Sequence, residues 1–197
     1  MDLIPNGMIH PNDLTTILEH LDAVLQSGID GAVVEFGCYE GTTSLFIAQH
    51  LVNAGNKRSF HVYDSFQGLP AKEPEDGSSD QFLTGSCSVE QFRFEANFRR
   101  NNLPTPVIHA GWFKDLTPAD LPEQIAFAFL DGDFYSSIFQ SLSLVYPRLT
   151  DQARVLIHDY GYEKLPGVEK ACADFLAPKK MHVTPMGGVG LFIMGGQ

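Results

Sequence analysis

Cations are scarce in this sequence. Lys and Arg together number 13 against 24 Asp and Glu, a formal net charge of −11. Nucleic-acid affinity rests largely on phosphate neutralisation by Lys and Arg, so general nucleic-acid binding is excluded. The same charge disfavours an anionic membrane surface. Cysteine is also scarce. Cys38, Cys87 and Cys172 are odd in number, far apart and without a C-x-x-C spacing. That excludes a disulfide framework and a clustered thiolate metal site, and it reads as reduced thiols in a cytoplasmic protein. No apolar run approaches the roughly 18 residues of a membrane-spanning helix. Asp2, Pro5 and Asn6 break up the opening, so no secretory leader is expected. The G-x-G-x-x-G dinucleotide fingerprint is missing. Repeats and linkers are missing too, so residues 1–197 read as one domain that opens with a short helical segment, 1–28. An apolar fraction of 44% excludes wholesale disorder.

What is present alternates between two periods. Residues 12–27 place Leu14, Ile17, Leu18, Leu21 and Leu25 on one helical face, with Asn12 or Asp13 as cap and Gly28 as stop. Helical spacing returns at 40–54, 88–101, 135–147 and 167–177, with Val89, Phe92 and Phe98 on one side of the second of these. Short apolar runs at 32–36, 59–64, 106–110, 125–130 and 153–158 read as buried parallel strands. The runs 181–186 and 189–194, joined by Gly187-Gly188, read as a terminal hairpin. The expectation is an α/β, Rossmann-like sheet of seven strands, mostly parallel with the last strand antiparallel, and helices on both faces. The polar stretch 65–86 has no period of its own, and a loop this long is usually functional or mobile.

Ligands of such sheets bind at the carboxyl ends of the strands. Glu35-Phe-Gly37-Cys-Tyr-Glu-Gly41 follows the first strand. Its glycines allow close backbone approach, and its acid suits an amino-bearing ligand better than a pyrophosphate. Asp64 ends the second strand, where a carboxylate can hold a ribose or serve as a turn residue. Together Glu35, Gly37 and Asp64 suit a nucleoside with an amino-acid tail, a description that fits S-adenosylmethionine better than NAD. Gly111-Trp112-Phe113 follows the third strand; its aromatics flank an adenine or belong to the core. Asp131-Gly132-Asp133 and His158-Asp159 end neighbouring strands. They converge either on Mg²⁺, as a metal-free general base, or as structural caps. His10, His20, His50, His61, His109 and His182 read as surface or core residues. Glu73, Glu75, Asp76 and Asp80 read as a solvated face, and Arg99-Arg100 as partners of a helix dipole.

The segments VVEFGCYEGTTS (33–44), VYDSFQGLP (62–70), AGWFKDLTP (110–118), FLDGDFYSS (129–137), VYPRL (145–149) and VLIHDYG followed by PG (155–161, 166–167) occur in this order. On these the chain resembles the macrocin O-methyltransferase family, which methylates sugar hydroxyls of natural products. DSFxGLP combined with LDGDxYxS is the specific part. The resemblance implies a class I S-adenosylmethionine-dependent O-methyltransferase, with a small-molecule hydroxyl as acceptor and Mg²⁺ as a second cofactor. It places Glu35, Gly37, Cys38, Tyr39, Gly41, Thr42 and Ser44 around the methionine part. Asp64, Ser65 and Phe66 would hold ribose and adenine, and Gly111, Trp112 and Phe113 would close the adenine end. Asp131 borders the donor and, with Asp159, would ligate the metal; Asp131 or Asp133 would stand at the proton-transfer step.

Two departures stand out against that family. His158 precedes Asp159 where members carry two adjacent aspartates, so His158 falls at the third ligand position. Only Met8-Ile9 and one helix precede the first strand, where members carry a longer N-terminal part. The acceptor side is then open, completed by a second subunit of a homo-oligomer, or shaped for another substrate. The alternative class is a nucleoside-binding module of the same fold without methyl transfer.

Overall fold

A computed structural model describes residues 8–195. Seven strands form one sheet: β1 (Ala32–Phe36), β2 (Phe60–Asp64), β3 (Val107–Ala110), β4 (Ile125–Leu130), β5 (Leu149–His158), β6 (Thr184–Met186) and β7 (Val189–Ile193). Their order is β3-β2-β1-β4-β5-β7-β6. The first five pair in parallel; β7 runs antiparallel to both β5 and β6. The expected sheet and its antiparallel last strand are therefore present. β1 and β4 are buried along their whole length, Glu35 included, as expected of apolar strands when both sheet faces are covered.

Helices α1 (Pro11–Ser27), α2 (Thr42–Asn53) and α3 (Gln91–Arg100) cover one face; α4 (Tyr135–Val145) and α5 (Pro166–Leu176) cover the other. The first core gathers Ile17, Leu21, Ile47, Phe94 and Phe98 against Val33 and Phe129. The second gathers Phe36, Ile138, Leu142, Val168 and Phe175.

Several local expectations are corrected. His10, not Asn12 or Asp13, caps α1: its Nδ1 accepts from the Asn12 amide at 3.2 Å, ahead of a Pro at the first helical position. Asp13 instead accepts from the Gly188 amide at 3.0 Å and pins the β6–β7 turn to α1. α3 begins at Gln91, so Val89 lies before it; Phe94 and Phe98, one turn apart, are buried, and Phe92 is exposed. β5 begins at Leu149, which pairs with Ile125 of β4, and the backbone of 152–153 continues it by pairing with Met194. Residues 1–7 of the expected opening segment lie outside the described residues. Among the described residues no helix is long and apolar enough to cross a membrane.

Candidate active site

The carboxyl ends of β1, β2, β4 and β5 open into a cavity of about 940 Å³. Its wall brings together Glu35, Gly37, Cys38, Tyr39, Thr42, Asp64, Ser65, Trp112, Phe113, Asp131, Asp133, His158 and Asp159. Gly41, Ser44, Phe66 and Gly111 stand behind this wall. Gly41 caps α2. The Phe66 ring packs edge-on against Phe94. Gly111 extends the sheet by donating its amide to the Asp64 carbonyl.

The left-handed backbone at Gly37 (φ 85°) is imposed by proximity. Its amide donates to the Tyr63 carbonyl at 2.8 Å, and the Asp131 amide donates to the Phe36 carbonyl at 2.8 Å. A Cβ on residue 37 would sit 1.9 Å from the Asp131 carbonyl oxygen. Gly37→Ala should therefore spread β1 from β4 at the site. We expect a stability loss of about 1–3 kcal/mol, read by thermal unfolding, together with weakened donor binding. A variant with wild-type stability would contradict this packing.

Asp64 is the organising carboxylate. Oδ2 accepts from the Cys38 amide at 2.8 Å and the Tyr39 amide at 2.9 Å; Oδ1 accepts from the Phe66 amide at 2.7 Å. It ties the β1–α2 loop to the β2 end, and Tyr39 and Phe66 both hold positive φ there. Glu35 is buried, and its Oε2 accepts from the Ser44 hydroxyl at 2.5 Å. Burial, reinforced by Asp131 and Asp64 and only partly offset by the Ser44 bond, pushes its pKa to about 8. Ser44 thus supports Glu35 from below. Cys87 also faces the cavity; burial and the carboxylates Asp133, Asp131 and Asp64 lift its thiol to about 11, so it is not a thiolate.

At the ends of β4 and β5, His158 Nδ1 lies 3.0 Å from Asp131 Oδ1 and 3.3 Å from Asp159 Oδ2. Burial opposes charge on His158, but the two carboxylates win and hold its pKa well above the usual histidine value. Ligand atoms of these three residues lie within 4.8 Å of one another. Mg²⁺ asks for oxygen donors. This set offers two carboxylate oxygens and, wedged between them, an imidazole nitrogen, a softer donor than the all-oxygen shell Mg²⁺ prefers.

Sequence reading missed the other wall. Gln81, Phe82 and Thr84 from the long loop face Ser136, Ser137 and Gln140 of α4 and Tyr162 of the β5–α5 turn. The Phe82 and Tyr162 rings meet edge-on, and Lys164 donates to Gln81 at 2.6 Å. The length of the Gly/Pro-rich loop was the available signal. Asp76, read as part of a solvated face, is in fact buried. The histidines outside the cluster stand away from the cavity, with His61 and His109 stacked on each other at the sheet edge.

A seven-stranded sheet of this order, with its acid-lined cavity over the parallel strand ends, is the class I methyltransferase fold. The solved structure of the O-methyltransferase NovP shares it, with a TM-score of 0.82 over 95% of this chain and 81% of that one at 24% identity. The chain belongs to the macrocin-O-methyltransferase (TylF) family, which residues 3–192 match. A Streptomyces olivaceus protein named 8-demethyl-8-(2,3-dimethoxy-alpha-L-rhamnosyl)-tetracenomycin-C 4'-O-methyltransferase is 32% identical over 168 residues, 81% of this chain and 64% of the relative. The Mycinamicin III 3''-O-methyltransferase of Micromonospora griseorubida is 28% identical over 172 residues, 80% of this chain and 66% of the relative. The chain thus spans just under two thirds of the length of these relatives.

Proposed function

We propose that the chain transfers the methyl group of S-adenosylmethionine to a hydroxyl of a small molecule, a sugar carried by a natural product. The observation that carries this reading is the charge of the cavity. Asp64, Glu73, Asp131 and Asp159 line it together with Glu35 and Asp133, whose pKa values burial raises, against Lys114 as the only Lys or Arg among the described lining residues and the His158 imidazole, which Asp131 and Asp159 favour as the cation. Such a wall attracts a ligand bearing a sulfonium and an ammonium and repels phosphates. Membership of an O-methyltransferase family supports the reaction, and the relatives' names support the sugar.

In this reading Glu35 and the 37–42 loop hold the amino-acid end of the donor. Asp64 offers its remaining lone pairs to the ribose, and Trp112 and Phe113 flank the adenine. The opposite wall pairs uncharged polar groups (Gln81, Thr84, Ser136 and Gln140) with the aromatic rings of Phe82 and Tyr162. That mixture suits a sugar, whose hydroxyls need donors and acceptors and whose ring faces are apolar. The acceptor oxygen attacks the methyl carbon in line with the C–S bond. The sulfonium leaves as a neutral thioether, and the hydroxyl proton passes to Asp131 or Asp133. Alignment of the two substrates supplies most of the acceleration.

Calorimetry with S-adenosylmethionine tests the donor site, and micromolar binding is expected. No binding would overturn the reading. A second outcome concerns Glu35, which is mostly protonated at neutral pH in the empty site. An adjacent ammonium favours the carboxylate. Donor binding below about pH 8 should therefore release a proton, seen as heats that differ between buffers of different ionisation enthalpy. Glu35→Gln should abolish that difference. The stability sign follows from the raised pKa. The contribution of neutral Glu35 is present at low pH and fades as pH rises through about 8.

A further inference from the structure

We propose that Asp131, His158 and Asp159 form a site for a borderline first-row divalent ion such as Co²⁺ or Zn²⁺, and that His158 sets this preference over Mg²⁺. The proposal rests on the methyltransferase reading only for what the ion would lie beside, not for its binding. Two observations carry it. First, Nδ1 of His158 stands 3.0 Å from one carboxylate oxygen and 3.3 Å from another. Ligands sharing an ion at bond lengths of about 2.0–2.2 Å, at angles between square and tetrahedral, are separated by about 3.0–3.5 Å. Second, Nδ1 carries at most one proton, and two carboxylates compete for it. A single ion of charge two at that point would serve both oxygens and the nitrogen together.

The ligands are held from behind. His158 is 8% exposed, and its ring lies against Phe129 with centroids 6.0 Å apart. Its backbone is the last rung of β5, paired with Val189. Asp131 is fixed by its amide bond to Phe36, and Asp159 by the turn in which the Tyr162 amide donates to its carbonyl. Burial and the Phe129 ring hold the imidazole within the cluster. Imidazole suits Zn, Cu, Fe and Ni, and N-donor affinity for Co²⁺ lies between Fe²⁺ and Ni²⁺, whereas carboxylate and water suit Mg²⁺ and Mn²⁺. Three protein ligands with the remaining positions facing a cavity is the arrangement of an open site, not of a closed structural one. When the ion binds, the Nδ1 proton leaves to solvent and the N–metal bond takes its place.

The test titrates the whole chain with Co²⁺ and with Mg²⁺ by calorimetry and follows the visible absorption of Co²⁺. One Co²⁺ per chain with ligand-field bands is expected, bound at least tenfold more tightly than Mg²⁺. His158→Ala removes a direct ligand and should weaken Co²⁺ by at least the roughly 10-fold that loss of an outer-shell partner costs. His158→Asp, which restores an all-oxygen set, should narrow the gap between the two ions by at least tenfold. S-adenosylmethionine binding, measured in parallel, reports that each variant is folded. Absence of Co²⁺ binding, equal affinities for the two ions, or unchanged Co²⁺ affinity in a folded His158→Ala variant would each overturn the site. Loss of donor binding by the wild-type chain with Co²⁺ binding intact would instead overturn the methyltransferase reading and leave the ion site standing.

Discussion

Replacing Asp64 with alanine should abolish donor binding at micromolar concentration. Three backbone amides converge on this carboxylate, from Cys38, Tyr39 and Phe66. Hydrogen bonds to a charged group contribute about 1.5–3 kcal/mol each. Two of the three amides belong to the loop that would carry the donor's amino-acid end. Tyr39 and Phe66 hold left-handed backbone, at φ 47° and 56°. Such conformations persist only where the surroundings over-determine them. Without Asp64 the side-chain tie between the two loops is gone, leaving the Gly37 amide's bond to the Tyr63 carbonyl between their bases, and the ribose loses its acceptor as well. Losing about 3 kcal/mol or more corresponds to at least a hundredfold in affinity. Asp64→Asn should fall between wild type and alanine: its single carbonyl oxygen can face Cys38 and Tyr39, but its NH₂ then opposes the Phe66 amide. Calorimetry at fixed pH gives the affinities, and thermal unfolding separates lost binding from a lost fold. A folded Asp64→Ala variant with unchanged donor affinity would remove Asp64 from the site.

The parts of the fold legible in the sequence are those where one physical demand dominates. β1 and β4 are buried on both faces, so they are apolar runs, interrupted in β1 only by Glu35 at the site and stopping at a glycine and an acid respectively. Once their order is known, Asp131 and His158-Asp159 must end side by side. The cavity wall opposite Glu35 and Asp64 was not legible, because it is assembled from pieces without a period or motif. Gln81 and Phe82 come from an aperiodic loop, Gln140 from an otherwise ordinary helix, and Tyr162 from a turn. Ser44 was placed on the donor for its position in the loop, yet its first α2 turn points its hydroxyl inward to Glu35. The N-cap was misread for a related reason. His10 is not a favoured cap, but Pro11 sets the first turn behind it and frees Asp13 for the distant Gly188 amide.

Asp76 is where composition misled most. An acid in an acidic, Gly/Pro-rich stretch reads as solvated, but Asp76 is 1% exposed. Its Oδ1 accepts from the Tyr135 amide at 2.6 Å, 59 residues away in sequence, and its Oδ2 from the Glu73 amide at 2.8 Å. Tyr135 opens α4, and Phe134 before it offers no side-chain cap. Asp76 is therefore the cap of α4, delivered from the loop that carries Gln81 and Phe82 to the cavity. Its negative charge also meets the positive end of that helix. Asp76→Ala strands two backbone N–H groups, at about 1–3 kcal/mol each. At roughly 2–4 °C per kcal/mol for a chain of this size, the midpoint of thermal unfolding should fall by roughly 5–20 °C.

Gly167 provides the check. A Cβ there would lie 2.1 Å from Asp76 Oδ1 and 2.8 Å from the Tyr135 amide nitrogen. Gly167→Ala should therefore displace the same cap from the opposite side. Because both changes break one contact, the double variant should lose clearly less than the sum of the two single losses. Donor affinity should hold in whatever fraction stays folded, since Asp76 touches neither Asp64 nor Glu35. Additive losses would mean that Asp76 and Gly167 support separate elements, and that α4 is capped without the loop.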